Sequence, residues 1–241
     1  MLRAAGDACL RWFHRARPEH KPDGTHVTDA DRAAEEVLVE GLSRAFPDAS
    51  VVSEEGTTAV RGEATWYVDP LDGTTAFLEG LAHWGPTVCL VQGGELVAGG
   101  LWMPVLGELW TVQRGRGAWW NGARLPLDQD DRPLYDRSLY LPSRFHRRQP
   151  IRWPGKVRAL GSTASHLARV ASGGAAAVII PKWEIWDVGC GVLLVEETGR
   201  VVTDFSAQPV DPVGQPGEPL LAGSRLAVTH LAEVLPTPKR A

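Results

Sequence analysis

The sequence predicts an α+β fold whose two halves are built differently, and two observations carry this prediction. Between residues 85 and 121, runs of β-forming residues alternate with glycine turns, as in an antiparallel meander. After residue 135 the rhythm changes to alternating strands and helices, which is typical of α/β units. The acidic, proline-containing segment 126–135 predicts a boundary between an N-terminal subdomain, 1–125, and a C-terminal subdomain, 126–241.

Helices are predicted where apolar residues recur at three- and four-residue spacing. The first covers residues 1–16, and the basic stretch after it, broken by Pro18, is predicted to be irregular. The second begins after Thr28, which can cap it, and Asp31 stands at the third helical position, as a capping box requires. Pro47 ends this helix. The remaining predicted helices are 75–79, 162–171, 187–197 and 225–235.

Strands are predicted where β-branched and aromatic residues cluster between turns. A short strand at 49–53 is followed by a surface loop at 57–65 and by a strand at Trp66–Val68. The other predicted strands are Thr87–Gln92, Leu96–Trp102, Gly107–Gln113, Gly117–Trp120, Ser138–Leu141, Val157–Leu160, Ala175–Ile180, Val201–Thr203 and Leu220–Ala222.

Composition excludes several classes of protein. The 241 residues can bury a sizeable core, and the net charge of −4 argues against a nucleic-acid-binding surface. No apolar run is long enough to span a membrane, and no signal peptide is evident. Cys9, Cys89 and Cys190 lack metal-ligand spacing and are expected to be buried free thiols. These features predict a cytoplasmic location.

The stretch W-Y-V-D-P-L-D-G-T-T at 66–75 carries the strongest chemical signal. Asp69 at the end of a strand and Asp72 across a turn can aim oxygens at one point, and Leu71 can add its carbonyl, a set that suits Mg²⁺. Gly73 and Thr74 open a short helix whose free N–H groups favour a phosphate. The pattern therefore favours a metal-assisted phosphoryl-transfer site.

Two other interpretations of this stretch have to be considered. Pro-Leu-Asp-Gly is also a good turn sequence, which needs no chemistry. An aspartyl-phosphate enzyme of the haloacid dehalogenase type is excluded, because its nucleophile would stand two residues before Asp72, where this chain has Pro70. Taken singly, the other acidic candidates also have plain explanations: Asp31 as a cap, Glu54-Glu55 as a solvated turn and Asp187 as an N-cap.

Together, these segments resemble the inositol monophosphatase family over roughly residues 4 to 205. The resemblance lies in V-T-D-A-D at 27–31, F-P-D at 46–48, S-E-E-G at 53–56, D-P-L-D-G-T at 69–74, G-S-T at 161–163, W-D-V-G at 186–189 and T-G-R-V-V-T-D at 198–204. It implies a layered α-β-α-β-α sandwich, as in inositol monophosphatase and fructose-1,6-bisphosphatase. It also implies a Mg²⁺-dependent, Li⁺-sensitive phosphomonoesterase that forms a homodimer and hydrolyses a small-molecule phosphate ester.

The resemblance implies two or three Mg²⁺ ions and assigns their ligands. Glu54 resembles a ligand of the first metal, Asp69 the carboxylate that bridges two metals, and Leu71 a carbonyl ligand of the first. Asp72 and Asp187 resemble ligands of the second metal. Metal ions suit such a slow hydrolysis because they activate water and neutralise the leaving oxygen.

The resemblance also assigns residues to catalysis and to substrate. Thr74 and Asp31 match a hydroxyl–carboxylate pair that polarises the attacking water, which Glu54 orients. Gly73 and Thr74 match the N–H groups that hold the phosphate, and Gly161 and Ser162 match further phosphate or substrate contacts.

Substrate choice is where the sequence departs from the inositol-specific pattern. The acidic residue that grips a ring hydroxyl is replaced by Ile180, whereas Trp183 and Glu184 stand where substrate contacts are expected. H-W-G at 83–85 and P-V-L-G-E-L-W at 104–110 are closer to the histidinol-phosphatase branch. Histidinol phosphate and 3′-phosphoadenosine phosphate are therefore alternative substrates, and a non-catalytic, metal-binding relative is the alternative to an enzyme.

Overall fold

A computed structural model describes residues 1–21, 24–56, 58–59, 62–129, 131–147, 150–214 and 219–235. Within these ranges the α-helices are α1 (Leu2–Leu10), α2 (Asp29–Ala45), α3 (Thr74–Leu78), α4 (Thr163–Ala171), α5 (Ile185–Glu197) and α6 (Arg225–Val234). Short 3₁₀ helices occur at Leu134–Asp136 and Phe145–Arg147. None of the described helices is both long and apolar enough to cross a bilayer.

The first half forms a large sheet and a small hairpin. The hairpin pairs β1 (Glu19–His20) with β2 (His26–Val27). The eight-stranded sheet has the order β10-β9-β8-β7-β6-β5-β3-β4, and only the β3–β5 pairing is parallel. Its strands are β3 (Ser50–Ser53), β4 (Thr58–Ala59), β5 (Ala64–Asp72), β6 (Gly85–Gln92), β7 (Glu95–Met103), β8 (Glu108–Gln113), β9 (Gly117–Trp120) and β10 (Ala123–Arg124). The predicted antiparallel meander is thus confirmed.

The second half forms a five-stranded mixed sheet of order β12-β11-β13-β15-β14. Its strands are β11 (Leu139–Tyr140), β12 (Val157–Arg158), β13 (Ala177–Ile180), β14 (Val201–Thr203) and β15 (Leu220–Gly223). The β11 strand pairs in parallel with β12 and β13, whereas β15 pairs antiparallel with β13 and β14.

The elements stack in five layers, as the family resemblance implies. Helices α1 and α2 cover one face of the large sheet, and α4 and α5 fill the space between the two sheets. Helix α6 covers the far face of the small sheet. The order is therefore helix, sheet, helix, sheet, helix, and the predicted layered α+β architecture is confirmed.

Helix α5 is apolar on all sides because it lies between the large sheet and α4. Two glycines let it approach both neighbours. A Cβ at Gly189 would lie 2.4 Å from Cys89 Sγ on β6, and one at Gly191 would lie 2.4 Å from Leu167 Cβ on α4. The close approach brings the start of α5, with Asp187, against the end of β5.

The two predicted subdomains are closely joined. Helix α5 from the second half packs on β6, β7 and β8 of the first, and Arg200 binds Asp128 in the connecting segment with an Nη2–Oδ1 distance of 2.9 Å. Each sheet falls on one side of residue 125, but one core runs across both. The division into subdomains 1–125 and 126–241 stays a prediction.

All three cysteines are buried and free, as the sequence predicts.

Three sequence predictions are wrong in detail. The first helix ends at Leu10 rather than residue 16, and a run of turns follows, in which His14 has a positive φ of 64°. The stretch predicted as irregular contains β1, because Pro18 flanks this two-residue strand and does not interrupt it. Within the predicted loop 57–65, Thr58–Ala59 pairs with β3, whereas residues 57, 60 and 61 lie outside the described ranges.

Candidate functional site

The D-P-L-D-G-T segment ends strand β5, which continues to Asp72 and not only to Val68 as predicted. The pairing of β5 with β6 shifts register between Asp69 and Asp72, so the strand bulges there. Asp69 Oδ1 accepts a hydrogen bond from the Leu71 N–H at 2.8 Å, which fixes the turn. Both aspartates are buried, which is an unfavourable place for two carboxylates without partners.

Three carboxylates from separate elements converge at this bulge. The ligand atoms of Glu54, Asp69 and Asp187 all lie within 4.8 Å of one another. Glu54 is placed beside Asp69 because β3 runs parallel to β5, and its N–H donates to the Val68 carbonyl at 3.0 Å. Asp187 comes from the first turn of α5, where its Oδ2 accepts from the Glu184 N–H at 2.8 Å.

The electrostatics of this cluster favour a cation. Burial, then the charges of Glu54, Asp72 and Asp187, raise the pKa of Asp69 well above its usual value. Burial is also the main cause that raises the pKa of Asp187 to about 7, with smaller contributions from Asp72 and Glu54. Several buried carboxylates that resist ionisation together are stabilised by any positive charge that enters among them.

Lys21, which the sequence analysis did not select, already reaches this cluster. Its Nζ lies 2.9 Å from Glu54 Oε1 and 2.7 Å from Glu55 Oε1. Burial is the largest single effect and lowers the pKa of Lys21, but the hydrogen bonds and charges of Glu55 and Glu54 together outweigh it and raise the pKa. A lone lysine in a short hairpin gives no local signal, so only the three-dimensional structure reveals it.

Asp31 takes part both in a helix cap and in the candidate site. Its Oδ2 accepts from the Thr28 N–H and hydroxyl, each at 2.7 Å, which completes the predicted capping box. Its Oδ1 lies 3.2 Å from the Thr74 hydroxyl, which is also 3.1 Å from the Leu71 carbonyl. The structure thus brings together Asp31 and Thr74, which the family resemblance pairs, and a cap alone does not require the Thr74 contact.

Asp72 joins the site to the second half of the chain. One of its oxygens accepts from the Thr163 N–H at 3.1 Å, and the other from the Ala164 N–H at 2.9 Å and from the Ser162 hydroxyl. Asp72 therefore binds the N-terminus of α4, where a negative charge is favourable. It is not one of the three carboxylates that lie within 4.8 Å of each other.

Gly73, Gly161 and Ser162 are in contact next to the carboxylates. Gly73 has a φ of 91°, and a Cβ on it would lie 3.1 Å from Ser162 Cβ and 3.3 Å from the Gly161 carbonyl oxygen. The Ser162 hydroxyl donates to Asp72 and accepts from the Ser165 N–H at 2.9 Å. Its only proton is therefore engaged by Asp72, and the assignment of Gly161 and Ser162 to phosphate or substrate binding stays a prediction.

The structure argues against the predicted aromatic contact between Trp183 and the substrate. The side chain of Trp183 is 1% exposed and belongs to the core between the sheets, so it offers no face to a ligand. Ile180 is 2% exposed in the same core. Glu184 is exposed and is the N-cap residue of α5, so the helix begins before Asp187 and not at it.

His83 is a second residue near the site that sequence reasoning did not select. Its carbonyl oxygen would lie 3.1 Å from a Cβ at Gly73, and its Nδ1 is 3.0 Å from Ser165 Oγ on α4. Burial and the charge of Arg169 lower the pKa of its imidazole. The H-W-G sequence at 83–85 resembles the histidinol-phosphatase branch, but it does not by itself indicate this contact.

Comparison with known proteins identifies the family. The family model for the inositol monophosphatase family matches residues 3–236. The chain belongs to the inositol monophosphatase family. It is 35% identical to an inositol-1-monophosphatase of Mesorhizobium japonicum, over 77% of this chain and 74% of the relative. It is 32% identical to a histidinol-phosphatase of Chlorobaculum parvum, over 83% of this chain and 82% of the relative.

Two further comparisons bear on function and fold. A Nus factor SuhB of Xylella fastidiosa is 32% identical, over 97% of this chain and 90% of the relative. The solved structure of Thermotoga maritima IMPase superposes with a TM-score of 0.87 at 28% identity, over 97% of this chain and 92% of that one. The predicted family membership and fold are both confirmed.

The cluster is chemically suited to Mg²⁺. The donor set of Glu54, Asp69 and Asp187 is all oxygen, which a hard divalent cation prefers. Lys21 offsets charge at Glu54, but within the described ranges Asp69 and Asp187 accept hydrogen bonds only from backbone N–H groups. The cluster is thus a partly buried set of anions with too little positive charge, which a metal ion would balance.

Proposed function

We propose that this protein is a Mg²⁺-dependent phosphoric monoester hydrolase that acts on a small-molecule phosphate. The observation that carries the proposal is the convergence of Glu54, Asp69 and Asp187 within 4.8 Å, beside the Thr74–Asp31 pair. Membership in the inositol monophosphatase family and the similarity to an inositol-1-monophosphatase support the same reaction. Turnover requires a metal centre and a group that polarises water, and this chain has candidates for both.

The metal ligands are proposed from the same geometry. Glu54, Asp69 and Asp187 would hold the ion or ions, and the Leu71 carbonyl and Asp72 would add ligands on the two sides of the β5 bulge. When bound, Mg²⁺ would lower the pKa of a water ligand and neutralise charge on the phosphate and its leaving oxygen. We propose that this set of ligands holds two or three ions.

The chain's own groups would orient the attacking water. The Thr74 hydroxyl lies between Asp31 Oδ1 and the Leu71 carbonyl, so it can donate a hydrogen bond to either oxygen and accept a hydrogen bond from a water molecule. Burial raises the pKa of Asp31, and the hydrogen bonds from Thr28 and Thr74 oppose that increase. Asp31 would thereby act on water through Thr74, and Glu54 would orient the same water from the other side.

The phosphate would be held by backbone groups at the start of α3. The first intrahelical bond of α3 runs from the Phe77 N–H to the Gly73 carbonyl at 2.9 Å, so the preceding helical N–H groups have no acceptor in that helix. Gly73 and Thr74 would therefore donate to phosphate oxygens. Gly161 would line the same space, since it touches Gly73.

Substrate choice is proposed by exclusion. Ile180 provides no acid that could bind a substrate hydroxyl, and Trp183 is buried in the core, so its ring provides no aromatic face for a substrate. Inositol 1-phosphate is therefore not expected to be the preferred substrate, because a dedicated enzyme would bind its hydroxyls in the transition state. Glu184 remains as an exposed carboxylate that suits a cationic group such as the amine of histidinol phosphate.

A panel of phosphate esters tests both the reaction and the substrate. We expect Mg²⁺-dependent phosphate release from at least one of the sugar, inositol, histidinol and 3′-phosphoadenosine phosphates, with kcat/KM for inositol 1-phosphate below the best substrate. Excess chelator and Asp69→Asn should abolish release, whereas Asp7→Asn, which alters an exposed carboxylate on α1, should not. Release by Asp69→Asn at the wild-type rate would refute the metal mechanism, and a preference for inositol 1-phosphate would refute the substrate argument.

The similarity to a Nus factor favours one second candidate, a role that depends on binding other macromolecules and not on turnover. A wild-type protein that binds Mg²⁺ but releases phosphate from no ester in the panel would support it. The homodimer and the cytoplasmic location stay predictions. Light scattering can check the first and cell fractionation the second.

A further inference from the structure

The β1–β2 hairpin carries two histidines that no part of the proposed function uses. His20 and His26 are directly opposite each other in the two strands. Their ring centroids are 4.9 Å apart, with an angle of 64° between the ring planes. His20 is exposed and His26 is half-buried, so the pair is open to solvent.

The register of the hairpin places these rings as close together as cross-strand neighbours can be. The Lys21 N–H donates to the Thr25 carbonyl at 2.9 Å, so residues 21 and 25 form a hydrogen-bonded pair. Such pairs alternate along an antiparallel ladder with non-hydrogen-bonded ones, and His20–His26 is the next pair along. In that position the side chains of opposite residues approach each other most closely.

We propose that His20 and His26 chelate a borderline divalent transition-metal ion of the Zn²⁺, Ni²⁺ or Cu²⁺ class. Metal–nitrogen distances of about 2.0–2.1 Å and a tetrahedral angle put the centroids of two bound imidazoles about 5 Å apart. The observed separation of 4.9 Å is close to this value. Imidazole ligands select these ions over Mg²⁺, and water would fill the remaining positions.

The proposed site is separate from the carboxylate cluster. Side chains alternate between the two faces of a strand, so His20 points away from the face that carries Lys21. Lys21 binds Glu54 and Glu55, which shows that the opposite face of the hairpin is the one directed at the cluster. The histidine pair therefore lies on the outer side of the hairpin.

An ion at this pair would also stabilise the hairpin that holds Lys21. A two-stranded hairpin is only marginally stable by itself, and this one is held at its start by the Glu19–Arg32 ion pair, whose Oε2–Nη2 distance is 2.5 Å. A bridge between the two strands adds a link close to Lys21. The site is thus placed to influence the contact between Lys21 and the Glu54–Glu55 pair.

Calorimetric titration with Ni²⁺ in saturating Mg²⁺ tests the proposal, because Mg²⁺ at the proposed carboxylate site would compete with Ni²⁺ there. We expect one Ni²⁺ site in the wild type and in the control His230→Gln. His20→Gln and His26→Gln should each weaken it by at least the factor of about 10 to 100 that loss of even an outer metal partner costs. The double variant should be little weaker than either single one, since chelation needs both rings.

A spectroscopic measurement identifies the ligands. The electron paramagnetic resonance spectrum of one equivalent of Cu²⁺ should show coupling to two imidazole nitrogens in the wild type, and this coupling should be lost in both histidine variants. An absence of Ni²⁺ binding, equal binding by His20→Gln, or a loss in His230→Gln would each overturn the proposal. Failure of the phosphatase assay would leave it unaffected, because neither histidine belongs to the carboxylate cluster.

Discussion

Asp31 and Asp72 each bind a helix start in addition to serving the proposed chemistry. Asp31 uses one oxygen for the cap of α2 and the other for Thr74, and Asp72 uses both oxygens on the first turn of α4. Substitution of either residue should therefore change stability and activity together. Asp69 differs, because it accepts a hydrogen bond from the nearby Leu71 N–H in the same turn.

Asp69→Asn and Asp72→Asn should both abolish activity, but only Asp72→Asn should lower the stability of the metal-free protein. Asp69→Asn removes one of several crowded negative charges, so the protein should be as stable as the wild type or more stable. In Asp72→Asn one oxygen becomes an NH₂ group that cannot accept from the N-terminus of α4, which should cost about 1–3 kcal/mol. Urea unfolding in chelator measures both effects, and a stability loss in Asp69→Asn as large as that in Asp72→Asn would contradict this account.

Asp31→Asn should lower kcat strongly and should also destabilise the protein by about 1 kcal/mol, since the capping box is weakened. Thr74→Val separates the two roles, because it removes the hydroxyl that contacts Asp31 and leaves the Thr28 cap intact. We expect kcat to fall in Thr74→Val with little change in melting temperature, and Thr74→Ser to retain most of the activity. Normal kcat in both Asp31→Asn and Thr74→Val would remove this pair from the site.

At the scale of elements, the contact between α3 and the loop before α4 depends on a glycine. Gly161 has a φ of 93°, and a Cβ on it would lie 2.7 Å from Ala76 Cβ. Gly161→Ala should therefore add a steric clash to the cost of about 1–2 kcal/mol for a left-handed conformation. Gly115→Ala is the matched control, with a φ of 71° and no atom within 4 Å of the new Cβ.

We expect Gly161→Ala to be clearly less stable than Gly115→Ala in chemical unfolding and to raise KM, because the clash displaces α3 and the start of the phosphate-binding segment. The double variant Ala76→Gly/Gly161→Ala should recover the part of the loss that the clash causes. Equal stability of the two single variants would show that the contact with Ala76 relaxes without cost.

Several elements could be predicted from the sequence because their signals are local. The cap at Thr28 and the glycine-punctuated meander each follow from neighbouring residues. The turn predicted after Val68 is in the structure a bulge within β5, which continues to Asp72. The β1–β2 hairpin could not be predicted, because two-residue strands have no periodicity to detect. Trp183 was misplaced for a related reason: a loop sequence does not reveal which of its side chains points into the core.

At the scale of the whole molecule, the site depends on contacts between distant segments. Glu54, Asp69 and Asp187 are brought together by a parallel strand pair and by the packing of α5 on the large sheet. Neither arrangement can be derived from local patterns, and only the family resemblance predicted the five layers. Lys21 was missed for the same reason, because its partners lie 33 and 34 residues further along the chain.

The same cluster should make the stability of the whole metal-free protein depend on pH. Burial and neighbouring charges raise the pKa of Asp69 and Asp72, and the pKa of Asp187 rises to about 7. A carboxyl with a raised pKa binds more protons in the folded than in the unfolded state. The free energy of unfolding should therefore fall as pH rises from about 4 to about 7, by up to about 1.4 kcal/mol per pH unit for each such group.

Bound Mg²⁺ should remove this loss, because the ion binds the ionised carboxylates and its affinity rises as they lose protons. We expect the increase in melting temperature caused by Mg²⁺ to be larger at pH 8 than at pH 5. In chelator, Asp187→Asn should show a shallower decline in stability between these two values, since one titrating group is lost, whereas Asp7→Asn should follow the wild type. A wild-type protein whose metal-free stability rises between pH 5 and pH 8 would show that these carboxylates are already balanced by charge from the protein itself, and the argument for a metal at this site would lose its electrostatic basis.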